Sequence, residues 1–217
     1  MKRLFDLCVV VASAGFWAPV LVVVAVTVRL KLGPPVLFRQ IRPGFRARSF
    51  ALLKFRTMTN ARDGDGKLLP DADRLTPFGR WLRSTSLDEL PQVLNILKGE
   101  MSLVGPRPLL TEYLQRYTPD QARRHEVRPG LTGWTQVCGR NALSWEEKFA
   151  LDLWYVDHRT FLLDLKILGL TLLRVLTREG VNAPGDATMP EFLGSSASQP
   201  SGNSRGSVDT TPPLRLS

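Results

Sequence analysis

The chain has 217 residues, of which 43% are hydrophobic and 23% charged, enough for one domain with a tail and too few for several independent cores. Lys and Arg outnumber Asp and Glu by 29 to 20, a formal charge of +9, which favours an anionic partner such as nucleic acid, a lipid surface or a phosphate-bearing substrate. Two cysteines (Cys8, Cys138) and two histidines (His125, His158) give neither a disulfide framework nor a zinc-type ligand spacing, and suit a reducing compartment.

Leu7 to Val28 is a run of 22 residues without a charge, long enough to cross a hydrocarbon core of about 30 Å. Pro19 falls near its middle and predicts a kink or break there, because proline lacks the N–H and clashes with the preceding turn. Each half is then about a dozen residues, roughly 18 Å of helix, too short to cross alone. Lys2 and Arg3 precede the run and Arg29 and Lys31 follow it, so both ends favour the cytoplasmic side. The reading preferred for residues 1–33 is a re-entrant membrane helix broken at Pro19. The alternatives are an ordinary spanning helix with a tolerated proline and a cleaved signal peptide; Asp6 ahead of the run and the lack of a small-x-small cleavage site weigh against the last.

Pro34-Pro35 ends this element, and a basic stretch that begins at Arg29 continues beyond it. Nine basic residues and no acidic one lie between Arg29 and Arg62, the whole charge excess of the chain. Val36-Leu37-Phe38, Arg42-Pro43-Gly44 and then Ser49 to Thr57 predict a short β-hairpin, with strand signals sparse elsewhere. Residues 60–74 read as a polar loop. Phe78 to Arg83 and Leu90 to Leu97 read as short helices, the second closed by Gly99. Longer helical patterns cover Leu110–Glu126, Trp145–Asp157 behind the capping box Ser144-x-x-Glu147, and Phe161–Arg178. The last is Leu-rich and amphipathic and suits either a core helix or one lying on a bilayer. From Ser195 the chain is mostly Ser, Pro, Gly and Thr, too poor in large apolar residues to offset ordering entropy, so 195–217 is expected to be a disordered tail. The predicted fold class is α+β, mostly helical, with residues 34–194 as a cytosolic domain.

Chemistry concentrates at Ser86-Leu87-Asp88-Glu89-Leu90-Pro91-Gln92. Asp88 reads in two ways. It caps a helix that keeps Pro91 in its tolerant first turn, or it joins Glu89 in holding a divalent cation and supplies a nucleophile for phosphoryl transfer. The second reading requires basic groups to take the phosphate oxygens. Lys54, Arg56, Arg83, Arg107, Arg128 and Arg140, the last beside Asn141, are the candidates, although a basic residue taken singly is more often a solvated surface group. No Walker A loop or dinucleotide fingerprint is present, which argues against an ATPase or a dehydrogenase.

Five segments occur in one order: Lys54-Phe55-Arg56-Thr57-Met58, Thr85 to Gln92, Gly105-Pro106-Arg107-Pro108, Arg128-Pro129-Gly130-Leu131-Thr132-Gly133 and Gly139-Arg140-Asn141. In this the chain resembles the bacterial sugar transferases, the monotopic phosphoglycosyl transferases, over about Lys2 to Gly194. The resemblance implies transfer of a sugar-1-phosphate from a UDP-sugar to a polyprenyl phosphate with release of UMP, at the cytoplasmic face of a bacterial inner membrane. It implies a small catalytic domain with interfacial helices, carried on a re-entrant helix. It also implies that Asp88 attacks the β-phosphorus to give an aspartyl phosphosugar, that Glu89 helps to hold Mg²⁺, that Lys54 and Arg107 bind phosphate, and that Asp152 is a further acid near the metal. The partners implied are the UDP-sugar, the polyprenyl phosphate and inner-membrane lipid, with no nucleic acid; a homo-oligomer stays open. Many family members have Ser-Pro at the membrane break where this chain has Ala18-Pro19, a change toward a shallower kink. Two other functions stay open on the residues: a membrane-tethered anion-binding protein without catalysis, and a membrane-bound phosphohydrolase.

Overall fold

The computed structural model describes residues 1–139, 143–177 and 191–194. Arg140, Asn141 and the expected tail lie outside the described residues. The chain is mostly helical, with two small two-stranded sheets.

The apolar N-terminus forms two helices, α1 (Lys2–Ala12) and α2 (Ala14–Leu32), separated at Ser13. The expected break at Pro19 is therefore corrected: Pro19 lies inside α2 without ending it. Ser13 supplies the reason. Its hydroxyl donates back to the carbonyls of Val9 (2.7 Å) and Val10 (3.2 Å), and the Trp17 indole donates to Val10 (2.8 Å). Carbonyls freed by the interruption thus find partners locally, as a low-dielectric setting demands. The back-bonding hydroxyl of this segment thus lies at Ser13 and serves the Ser13 interruption.

The two helices have different surroundings. In α1, Asp6 and Val10 are buried, and Asp6 accepts from the Ser102 hydroxyl at 2.7 Å and the Leu103 amide at 3.4 Å. Arg3 caps the end of a later helix through the carbonyls of Ile96 and Leu97, and Lys2 pairs with Asp164. Helix α1 is therefore part of the globular body. Helix α2 leaves Phe16, Val22, Val23, Val26 and Leu30 exposed. It is the one helix among the described residues long and apolar enough to cross a membrane, about 28 Å at 1.5 Å per residue. Its far end returns to the same body, where Arg56 donates to the carbonyls of Leu32, Gly33 (2.6 Å) and Pro34 (2.9 Å).

The predicted hairpin forms as β1 (Leu37–Pro43) and β2 (Ser49–Phe55), antiparallel, in register from Leu37 opposite Phe55 to Pro43 opposite Ser49. The polar loop at 60–74 carries one helical turn, α3 (Asp71–Arg74). Then come α4 (Pro77–Ser84), capped by the Thr76 hydroxyl on the Gly79 amide, and α5 (Gln92–Lys98), closed by Gly99 at φ 85°. Buried Asn95 of α5 grips the free edge of β2, accepting from the Leu53 amide (3.1 Å) and donating to the Ala51 carbonyl (2.8 Å).

A parallel pair absent from the sequence expectation follows: β3 (Ser102–Val104) beside β4 (Gly130–Thr132). Its contact explains two glycine-bearing segments. A Cβ at Gly130 would stand 2.1 Å from the Gly105 amide nitrogen, and one at Gly105 would stand 2.4 Å from the Arg128 carbonyl oxygen, so only glycine allows the backbones to approach this closely. The single helix expected over 110–126 is instead a set of short turns containing α6 (Pro119–Ala122). Thr118 and Gln121 form a capping box there, and Pro119 at the first helical position starts a new helix and ends any continuation from before. Helices α7 (Trp134–Cys138), α8 (Trp145–His158) and α9 (Phe161–Thr177) complete the body, with both bonds of the Ser144–Glu147 capping box in place. Helix α9 buries Ile167 and Asp164 while Leu162, Leu165, Leu172 and Leu173 stay exposed. The main core gathers Val10, Leu52, Ile96, Met101, Val104, Trp134, Tyr155 and Ile167 between α1, α5, β3 and α7–α9.

Candidate active site

The site is built where α4 meets α5. Between them the chain makes a tight 3₁₀ turn, Leu87–Glu89, entered through Ser86 in the left-handed region at φ 56°. Left-handed backbone is uncommon for a residue other than glycine and persists where the surroundings impose it. Here Leu87 and Leu90 anchor the turn in an apolar cluster with Phe55, Leu82, Val24 and Val28. The two leucines face that cluster, and the carboxylates between them form the polar side of the turn. Asp88 makes no capping bond, and α5 begins only at Gln92 after Pro91. Helix capping is thus removed as the reason for Asp88.

Asp88 is only 7% exposed, and no hydrogen bond from the described residues reaches its carboxylate. Burial raises its pKa from 3.8 to about 6, with the neighbouring Glu89 charge adding to the effect against the pull of Lys54, Arg83 and Arg107. Glu89 has the opposite environment. Its Oε1 accepts from Lys54 Nζ at 2.8 Å and from the Arg107 guanidinium. Burial alone would raise its pKa, but Arg107 and Lys54 outweigh it and hold the group at about 2. Two adjacent carboxylates are thereby driven apart in character: one fixed as an ion-paired anion, the other buried, unbonded and titrating near neutrality.

The basic candidates divide. Lys54 from β2 and Arg107 converge on Glu89, and Arg107 is braced by the Leu131 carbonyl. Arg83 donates to the Thr57 hydroxyl at 3.1 Å and its charge acts on Asp88. Arg56 does not join them at Glu89: its two terminal nitrogens donate to the last carbonyls of α2. Arg128 is exposed, donates to the Gly99 carbonyl at 2.9 Å and stacks over Phe45. Asp152 is committed elsewhere. One oxygen takes Arg124 at 2.6 and 3.2 Å, and the other takes the Thr135 hydroxyl at 2.6 Å. Asp152 thus stands in a buried ion pair with Arg124.

Arg124 is the residue that sequence reading missed. It sits in Arg123-Arg124-His125-Glu126, a charged run that looks like solvated surface. In the structure it is 4% exposed and bonds Asp152, Tyr117 (3.3 Å) and the backbone carbonyl of Arg107 (2.9 Å). It thereby fixes the loop that presents Arg107 to Glu89.

Among the described residues no three His, Cys, Asp or Glu side chains cluster as a metal cage. The donor set present is still the one Mg²⁺ uses with nucleotides: one or two carboxylates, with phosphate oxygens and water completing the octahedron. Among the described residues none donates to Asp88 or to the second oxygen of Glu89, so the pair fits such an ion.

The sequence matches the bacterial sugar transferase family over residues 1–178. It is 55% identical over 195 residues to an uncharacterized sugar transferase of Bacillus subtilis, covering 90% of this chain and 96% of that one. It is 38% identical to a UDP-glucose:undecaprenyl-phosphate glucose-1-phosphate transferase of Caulobacter vibrioides, covering 82% and 70% of the two chains. It is 36% identical to an undecaprenyl-phosphate galactose phosphotransferase of Salmonella typhimurium, covering 83% of this chain and only 41% of that longer protein. With its motifs gathered at one carboxylate pair and the family match running through nearly all of the folded residues, the chain belongs to the bacterial sugar transferase family.

Proposed function

We propose that this chain is a phosphoglycosyl transferase that moves a sugar-1-phosphate from a UDP-sugar to undecaprenyl phosphate, with Asp88 as nucleophile. The observation that carries this reading is the Asp88 carboxylate itself: buried, without a hydrogen bond from the described residues, on a strained turn, beside a glutamate already held by two cations. An unbonded carboxylate keeps its lone pairs for attack, and a pKa near 6 leaves it mostly ionised at neutral pH.

An Asp88 oxygen attacks the β-phosphorus of the UDP-sugar. The bond from that phosphorus to the oxygen bridging it to the α-phosphate breaks, and UMP leaves with the electron pair. The product is an acyl phosphate carrying the sugar. An oxygen of undecaprenyl phosphate then attacks the same phosphorus, returns the carboxylate and forms the lipid diphosphosugar. Lys54, Arg83 and Arg107 surround the reacting groups with positive charge, which offsets the repulsion between an anionic nucleophile and a diphosphate. Glu89 holds Lys54 and Arg107 in place. Mg²⁺, when bound by Glu89 and Asp88, would neutralise the diphosphate oxygens and improve the leaving group.

The reading also places the chain as a monotopic protein at the cytoplasmic face of the inner membrane. In support, both ends of the 2–32 segment attach to one body, through Lys2, Arg3 and Asp6 at the start and Arg56 at the end. A segment tied down on one side at both ends favours dipping into the bilayer and returning. The exposed leucines of α9 then suit the interface.

The test is a UMP-release screen over UDP-sugars with membrane-extracted protein, with and without undecaprenyl phosphate. Multiple turnover that requires the lipid phosphate is the expected result. Sustained release without it would mean hydrolysis, and release from no UDP-sugar would remove the enzyme reading.

A further inference from the structure

The basic stretch between Arg29 and Arg62 is only partly used by the carboxylate site, which draws on Lys54 alone. What the rest of it builds lies where α2 enters the body. A groove of about 550 Å³ opens there, walled by Val36, Leu37 and Phe38 and carrying Arg39 and Arg56 with no acidic residue in its lining. Arg39 is exposed and Phe38 is 47% exposed. Arg56 is 93% buried, pairs with no carboxylate, and its Nε has no hydrogen-bond partner. Among the described residues its positive charge is met by the carbonyls at the end of α2. A buried cation without a counter-ion is costly, and an anion entering beside it recovers that cost.

Position joins the groove to the chemistry. Val36 and Leu37 belong to the apolar cluster that anchors Leu87 and Leu90 on either side of the carboxylate pair. Phe38 stands opposite Lys54 in the hairpin register, on the same face of the ribbon, and Lys54 holds Glu89. The other end of the groove abuts the exit of α2, whose last turn carries exposed Leu30 between Arg29 and Lys31. An apolar wall beside the end of α2, with cations and no acid along it, is complementary to a phosphate monoester on a hydrocarbon chain.

We propose that this groove is the seat of the acceptor lipid, the isoprenoid chain lying against Val36, Leu37 and Phe38 and the phosphate drawn by Arg39 and Arg56 toward Asp88. The proposal rests on the transferase reading above. It gives Arg39 and Phe38 a part in acceptor recognition, and gives Arg56 a positioning part through the end of α2.

The test uses the full chain in detergent micelles. Arg39→Gln and Phe38→Ser change exposed side chains, and thermal melting verifies that the variants fold. With the UDP-sugar that supports turnover, each variant is expected to raise KM for undecaprenyl phosphate about tenfold while KM for the UDP-sugar moves less than twofold, and Arg39→Lys is expected to recover part of the loss. Equal movement of both constants, or movement of neither, overturns the proposal. A second measurement is independent of turnover: retention of fluorescently labelled undecaprenyl phosphate, competed with phosphatidylglycerol or inorganic phosphate. The expected result is weak competition by both and reduced retention by Arg39→Gln. Equal competition by phosphatidylglycerol makes the groove a general anionic-lipid seat, and equal competition by inorganic phosphate means that the chain is not read; either overturns the assignment. If no UDP-sugar is turned over, the transferase reading fails and lipid retention alone decides whether the groove binds the lipid phosphate.

Discussion

Replacing Asp88 by Asn separates two consequences of the same burial. Asn keeps the size of the side chain and removes the charge. In the folded chain Asp88 titrates at about 6 instead of 3.8, so the fold holds the proton more tightly than the unfolded chain does. The stability linked to that proton is complete below pH 3.8 and is lost as pH rises through about 6. At 1.36 kcal/mol per pH unit, the interval corresponds to about 3 kcal/mol, and burial leaves little solvent to screen it. At pH 7.5, Asp88→Asn should therefore be more stable than the natural chain by up to about 3 kcal/mol, several degrees in Tm for a chain of this size. At pH 4 the two should agree within about 0.5 kcal/mol. The assay is thermal unfolding in detergent with EDTA across pH 4–8, run beside UMP release. Turnover should fall at least a thousandfold while Tm rises. No gain at pH 7.5, or an equal gain at pH 4, would refute the burial reasoning; retention of more than a few per cent of turnover would remove Asp88 as nucleophile.

Glu89→Gln should act with the opposite sign on stability. Glu89 titrates at about 2 against an ordinary 4.5, so its contribution is present above pH 4.5 and lost as pH falls through about 2; at neutral pH the variant should melt lower, turn over at least tenfold more slowly and need more Mg²⁺, and a melting point equal to or above that of the natural chain would contradict the ion-paired assignment. Asp152→Asn should cost about 3–5 kcal/mol by leaving Arg124 charged and buried, read by denaturant unfolding, while the Mg²⁺ concentration for half-maximal turnover stays put. A large shift in that concentration would return Asp152 to the metal. Single cysteines at Lys2 and Lys31 in a Cys8→Ser, Cys138→Ser background should both resist a membrane-impermeant thiol reagent in intact spheroplasts and both label after lysis; labelling of the Lys2 cysteine before lysis would make α2 an ordinary spanning anchor.

Several features followed from the sequence because short-range rules govern them. The Ser144–Glu147 capping box, the Gly99 helix stop, the hairpin of 37–55 and the helices of 77–84, 92–98, 145–158 and 161–177 are set by periodicity, caps and turn residues within a few positions of one another. The carboxylate pair and the motif order were equally legible, since they are matters of residue type and spacing. The roles of individual cations were not. Lys54, Arg56, Arg107, Arg124 and Arg128 look alike along the chain, and each was assigned by a partner far away: Glu89 for Lys54 and Arg107, the end of α2 for Arg56, Asp152 for Arg124, Gly99 for Arg128. A guanidinium takes whichever oxygens the fold brings to it, and no local rule names them. The parallel pairing of 102–104 with 130–132 escaped notice for the same reason: three residues carry no periodicity, and the glycines that allow it are explained only by the backbone they approach. The break in the N-terminal segment divides in the same way. The sequence rule placed the break at Pro19, where the helix runs on; the interruption lies at Ser13, marked by the hydroxyl and indole bonds to Val9 and Val10 and by the burial of α1 through Asp6 and Val10 against β3 and α5.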